Sequence, residues 1–149
     1  MLIALLAVLG VDLIVIVAFA ASVFARRRWV KSRPGAFQGA IRVVDGQMPR
    51  FAAKWRRGYG RWVRDVLVWE RGPFLFRGEL VPVDGLSGPG RVAETGEVKR
   101  LGKHVDVVTL TVEGGARVEV AVMATERNRA CGPFTAPSGP ATTGEQMDD

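Results

Sequence analysis

The chain has 149 residues, enough for one apolar segment and one small domain. Its net charge of +6 is unevenly placed: the 116 residues after Arg33 carry 16 basic and 14 acidic side chains, which argues against a generally basic nucleic-acid binder. A single cysteine, Cys131, excludes an internal disulfide framework and fits a reducing compartment.

Leu2 to Ala25 is a run of 24 residues without Lys, Arg, Glu or Pro. As a helix it would span roughly 36 Å, enough to cross a hydrocarbon core of about 30 Å with tilt. The rival reading is a cleaved signal peptide, since Ala18-Phe19-Ala20 fits a small-x-small site. The run lacks a basic leading region and is longer than the usual apolar core of a signal peptide, so a membrane anchor over 1–25 is the preferred reading. Arg26, Arg27, Arg28, Lys31 and Arg33 form a basic juxtamembrane collar over 26–34. Basic flanks stay cytoplasmic, which predicts an N-terminus outside the cell membrane and the rest of the chain in the cytoplasm. Asp12 lies near mid-span, where an ionised carboxylate costs about 2.5–3.5 kcal/mol on insertion scales. It is read as a contact with a partner helix, supported by the small residues Ala18, Ala21 and Ala25. The opposite reading is a protonated, tolerated Asp.

Residues 35–132 read as one β-rich domain. "AFQGAIRVV" (36–44) predicts a first strand, 55–63 a second, 66–69 a third and 74–76 a fourth, with turns at Arg64-Asp65 and Arg71-Gly72-Pro73. "GLSGPG" (85–90) reads as a loop and 98–101 as a further short strand. In "VDVVTLTVEGGARVEVAVMA" (105–124) two runs alternate with period two around Gly114-Gly115-Ala116. A register with Val112 opposite Val118 and Leu110 opposite Val120 keeps one apolar face and pairs Glu113 with Arg117. "ATERNRAC" (124–131) predicts a short helix stopped by Gly132-Pro133, and 133–149 a disordered tail. The mainly β class, with this element order, suggests an N-terminal transmembrane helix followed by a small antiparallel pleckstrin-homology-like (PH-like) barrel with a short C-terminal helix. A plain β-sandwich is the alternative.

No residues suggest catalysis. His104 has no serine or cysteine partner in a plausible context, and Cys131 reads as a small buried residue. No metal-ligand spacing or phosphate-loop pattern exists, so neither a cofactor nor a metal is expected, and the chain is not read as an enzyme. The stretch "RFAAKWRRGYGRWVR" (50–64) is the candidate contact surface. It holds Arg50, Lys54, Trp55, Arg56, Arg57 and Arg61 and no acid. Such a basic, aromatic segment attracts anionic lipid and the membrane interface. The competing reading makes its aromatics core and its arginines solvated. Trp55 and Trp62 are seven apart and should lie on opposite faces of a regular strand, so only one of them can be the contact and the other should be core.

The order of parts, and the stretch "GYGRWVRDVLVWERGPFLF" (58–76) with Arg61, Trp62, Asp65, Leu67 and Trp69, resemble the actinobacterial single-pass membrane proteins grouped as domain-of-unknown-function family number 2550. Members often carry "GTF" near the position of this chain's "GAF" (35–37) and a longer C-terminal helix. The resemblance brings no catalytic residues; its aromatic position falls on Trp62, which implies Trp62 as core and Trp55 as the contact. It implies an association with membrane bioenergetics, the F-type ATP synthase being the partner suggested by gene neighbourhood. The expected function is therefore a membrane-anchored cytoplasmic binding or scaffolding protein, an accessory of a membrane complex. The alternative is an anionic-lipid-sensing PH-like module using residues 50–64.

Overall fold

The structure, a computed structural model, describes residues 1–72 and 77–134. The apolar run forms a single helix, α1 (Leu2–Ser32), whose segment Leu6–Ser32 is long and apolar enough to cross a membrane, its most apolar stretch having a mean hydropathy of 2.6. The helix continues through the collar instead of ending before it. It stops where Arg33 turns extended, at φ −66° and ψ 135°. Pro34 follows, and a proline pushes the preceding residue out of helical backbone.

Among the described residues seven antiparallel strands follow: β1 (Phe37–Asp45), β2 (Arg56–Val63), β3 (Val66–Arg71), β4 (Gly78–Leu86), β5 (Arg91–Val92), β6 (Val105–Val112) and β7 (Arg117–Met123). Their order in the sheet is β4-β3-β2-β1-β7-β6-β5, and β4 pairs in addition with β6. After β7 come a 3₁₀ turn (Ala124–Glu126), the short helix α2 (Arg127–Cys131), and a second 3₁₀ turn (Gly132–Phe134). Gly132, at φ 55°, ends α2 where the sequence predicts the stop.

Strands read from the sequence at 36–44, 55–63 and 66–69 match β1, β2 and β3 within a residue or two. Several expectations need correction. β4 has no counterpart in the sequence reading, because Pro82, Asp84 and Gly85 depress strand propensity while only Val81 and Val83 signal its buried face. The loop expected at 85–90 therefore begins only after Leu86. β5 then lands on the edge of β6 that β4 also uses, with Arg91 opposite Val107 and Leu86 opposite Leu110. The segment 98–101 is not a strand. It lies in a run of turns, and Val98 and Leu101 are buried there. Pro133 and Phe134 belong to the second 3₁₀ turn, not to a tail. The strand expected at 74–76 and the tail from 135 onward lie outside the described residues.

The β6–β7 register also differs. Leu110 stands opposite Val118, Val108 opposite Val120 and Thr111 opposite Arg117, two residues from the expected pairing. The Val112 N–H donates to the Ala116 carbonyl at 2.9 Å, so the turn holds Glu113, Gly114 and Gly115. Both glycines take left-handed backbone, at φ 89° and 83°, which centres the turn one residue earlier than supposed. Arg117 pairs with Asp45 at 2.8 Å and not with Glu113. A slip of two keeps every side chain on its face, so the apolar pattern cannot detect it.

The sheet curls so that β1, β3, β4, β6 and β7 supply one core. Phe37, Ile41, Leu67, Trp69, Val81, Leu110, Val118 and Val120 are almost wholly enclosed there. Glycines make room for its two large rings. A Cβ on Gly60 would strike the Phe37 ring, and one on Gly58 would come within 2.8 Å of Trp69 Nε1. The "GYG" of β2 is thus a slot for aromatics contributed by β1 and β3. Ala130, Cys131 and Phe134 pack onto the same core from the C-terminal turns.

On the opposite face, Ala40, Val98, Leu101, Val105, Val107 and Ala121 form a second cluster. An ion-pair network lies beside it. Glu119 takes Arg42 at 2.6 Å and Arg91 at 3.2 Å, and Arg91 also reaches Glu97 at 2.6 Å. The Arg91 guanidinium holds the Glu97 carboxyl down at about 2, against partial burial that acts to raise it. A folded-state value below the ordinary one makes this contribution fully present above about pH 4.5, and it is lost as pH falls through about 2. Melting temperature should therefore fall as pH drops across that window. Glu97→Gln should be less stable at neutral pH and lose less on acidification; parallel curves for the two proteins would refute the assignment.

Candidate functional site: an arginine-lined cleft at the end of the helix

The chain between β1 and β2 folds back on β1, with the Val43 N–H donating to the Ala52 carbonyl at 3.0 Å. Arg50 within it has left-handed backbone at φ 71°, uncommon for a residue with a side chain. This segment, the start of β2, the end of β3 and one turn of α1 enclose a cleft of about 970 Å³. Six arginines line it: Arg27, Arg50, Arg56, Arg57, Arg71 and Arg100. Phe51, Trp55 and Tyr59 supply its aromatic walls, and no acid is among the described residues that line it.

The arginines reach the cleft from five parts of the chain, Arg50 from the segment between β1 and β2. Arg56 and Arg57 open β2, and Arg71 closes β3. Arg100 comes from the turns before β6, also with left-handed backbone at φ 61°. Arg27 comes from α1. Arg50 is offset by Glu79 at 3.3 Å, and the Arg71 guanidinium lies over the Phe51 ring at 5.0 Å. Guanidinium groups stay charged at any physiological pH, so the cleft concentrates positive potential. Chemically it suits an anion with several oxygen acceptors, such as a phosphate.

The end of α1 is tied to the sheet beside this cleft. Val30 is only 3% exposed. Trp29 is flanked by the guanidinium groups of Arg26 at 4.8 Å and Arg33 at 3.6 Å from its ring centroid. Lys31 lies over Tyr59 at 5.8 Å, and Arg33 faces Glu70 at 3.6 Å. Part of the expected collar thus serves as the joint between helix and domain.

Of the contact residues expected from 50–64, the fold gathers Arg50, Trp55, Arg56 and Arg57 at the cleft. Lys54 is exposed and does not line it. Arg61 sits on the other side of Tyr59, half-buried beside Val30, Val68 and Glu70. Trp55 and Trp62 do lie on opposite sides of the sheet. Trp62 packs on the main core, donating its Nε1–H to the Ala130 carbonyl at 3.1 Å and meeting Phe134 edge-on at 5.7 Å. Trp55 lines the cleft and also packs on the second cluster, under the Arg42 guanidinium at 4.5 Å. Asp12 is exposed on α1, among exposed apolar side chains.

Arg71 and Arg100 were not singled out from the sequence, and Arg27 was read only as part of the collar. No local signal marks them, because strand pairing and helix docking bring them to the site from distant positions. Cys131 is buried, and burial pushes its thiol above the usual range, the reverse of what activates a nucleophile. The exposed His104 precedes β6, and its carbonyl accepts the Ala124 N–H at 3.1 Å. No protein-family model, curated protein or solved structure matches the chain.

Proposed function

We propose that the chain is a single-pass membrane protein, N-terminus outside, whose cytoplasmic β domain is a PH-like barrel that binds anionic lipid headgroups. The β4–β6 pairing, which links the strand run end to end, and the packing of α2 on the core support the barrel reading. The observation that carries the lipid reading is the cleft: six arginines and no acid, one of those arginines lying just past the apolar run of α1. Each basic residue near an anionic membrane surface contributes about 1 kcal/mol of attraction.

The test uses the full chain in nanodiscs. Backbone hydrogen exchange of residues 50–57 should slow in discs containing phosphatidylglycerol relative to pure phosphatidylcholine, and the difference should shrink as salt rises. Equal exchange in the two discs would remove the lipid reading. A reporter active only in the cytoplasm should work when fused after Asp149 and fail at Met1; the reverse would overturn the orientation.

One observation favours a second reading, scaffolding within a membrane complex. Asp12 is exposed in the middle of the otherwise apolar run of α1, and a buried polar partner on another span would offset its cost. A scaffold should co-purify in mild detergent with one stoichiometric membrane protein, and Asp12→Leu should release it.

A further inference from the structure

Two residues that line the cleft, Trp55 and Arg71, each carry a covered N–H just behind its wall. Nε1 of Trp55 and Nε of Arg71 are shut off from solvent and lack a hydrogen-bond partner among the described residues. Both residues line the cleft. A buried donor left unpaired costs about 1–3 kcal/mol, and such groups are few in folded proteins. No ion pair joins Arg56, Arg57, Arg71 or Arg100 to a carboxylate among the described residues. Unpaired N–H groups within a set of uncompensated cations call for an oxyanion, whose oxygens accept several hydrogen bonds at once.

Depth along the helix says where that oxyanion comes from. Arg27 is the second residue beyond the apolar run that ends at Ala25. At about 1.5 Å per residue its Cα lies roughly 3 Å past the apolar boundary, inside the headgroup layer when α1 spans the bilayer. The cleft it lines must then sit at that depth. The domain cannot swing away freely, because Val30 is buried at the joint, Arg33 faces Glu70, and only residues 33–36 separate α1 from β1.

We infer that the cleft is a phosphate site shared between the anchor and the sheet, filled by the headgroup phosphate of an anionic phospholipid from the leaflet that holds the end of α1. Phosphate entry shifts the side chains that cover Trp55 Nε1 and Arg71 Nε, so that both donate to its oxygens from the sheet side, and Arg27 holds the phosphate from the helix. A lipid in that leaflet is presented at the level of the cleft, so the tethered site meets it at high effective concentration. This deepens the lipid reading above and rests on it.

The experiment titrates phosphatidylglycerol into phosphatidylcholine nanodiscs holding the full chain, and reads the lipid-induced slowing of exchange at residues 50–57. Arg27→Gln and Arg71→Gln should each raise the phosphatidylglycerol fraction needed by about tenfold, the loss expected for one charge-assisted contact. Arg28→Gln, one residue from Arg27 but outside the cleft, should lose only the general surface attraction of one basic residue and shift the titration less than Arg27→Gln. Arg71→Lys keeps the charge, preserves most of the side chain and removes the Nε donor; it should behave like Arg71→Gln. Parent protection with all four variants unaffected would overturn the shared phosphate site and leave the broader lipid reading standing. No protection in the parent would remove both. Inorganic phosphate at millimolar concentration, added to the chain in detergent without lipid, should protect weakly; protection equal to that of phosphatidylglycerol would make the ligand a soluble anion and overturn the lipid source.

Discussion

Val120→Asp should unfold the β domain. Val120 is fully enclosed in the main core, opposite Val108 and beside Ile41 of β1. Among the described residues no basic side chain is buried, so none is at hand in the core to pair with an introduced carboxylate. Burying the charge, or protonating the group to avoid it, costs at least about 4 kcal/mol, a large part of the roughly 5–15 kcal/mol that holds a domain together. The chain should insert into membranes but lose its cooperative melt and the near-ultraviolet signal of its packed tryptophans. Thr111→Asp provides the contrast. Thr111 is half-buried on the opposite face, directly across from Arg117, so an acid there gains a favourable neighbour. Its melting temperature should stay within a few degrees of the parent. Similar losses from the two substitutions would contradict the assignment of faces in this hairpin.

Arg56→Glu combined with Arg57→Glu should abolish the preference for anionic membrane. Both residues are exposed, line the cleft and open β2, so the exchange replaces two cations by two anions without touching the core. At about 1 kcal/mol per basic residue near the surface, removing two attractions and adding two repulsions changes the energy by about 4 kcal/mol, roughly a thousandfold in affinity. Screening reduces this at physiological ionic strength, where the Debye length is about 8 Å. The melting temperature should be nearly unchanged, or should rise as like charges in the cleft are relieved. If the doubly reversed protein still distinguished phosphatidylglycerol from phosphatidylcholine in the exchange experiment, the cleft would not be the lipid contact.

Local pattern was informative where the chain alternates or stays apolar for a long stretch. The helix over the first residues, the strands at 36–44, 55–63 and 66–69, the β6–β7 alternation and the short helix before Gly132 all follow from periodicity and from Gly and Pro positions. The opposite placement of Trp55 and Trp62 follows from their odd spacing, Trp55 lying one residue before β2. Pattern was uninformative where burial came from a single side chain at a time. β4 fully buries only Val81 and Val83, set among Pro82, Asp84 and Gly85, with Leu86 packed on the core at its end. Val98 and Leu101 look like a strand in sequence, yet they are turn residues that cap the second cluster.

Taken alone, the sequence determined that an apolar helix precedes a β domain, which side chains of the hairpin share a face, and that residues 50–57 carry basic and aromatic groups without an acid. These are properties of periodicity and composition, and each is complete within a short window. Tertiary structure alone decided the hairpin register, because a slip of two leaves the faces unchanged. It also decided the composition of the cleft. Arg27, Arg71 and Arg100 join Arg50, Arg56 and Arg57 only because β2 pairs with β3, the turns before β6 fold across the sheet, and Val30 docks the helix beside them. A site assembled from segments up to seventy-three residues apart depends on long-range pairing, and no local pattern of side chains encodes it.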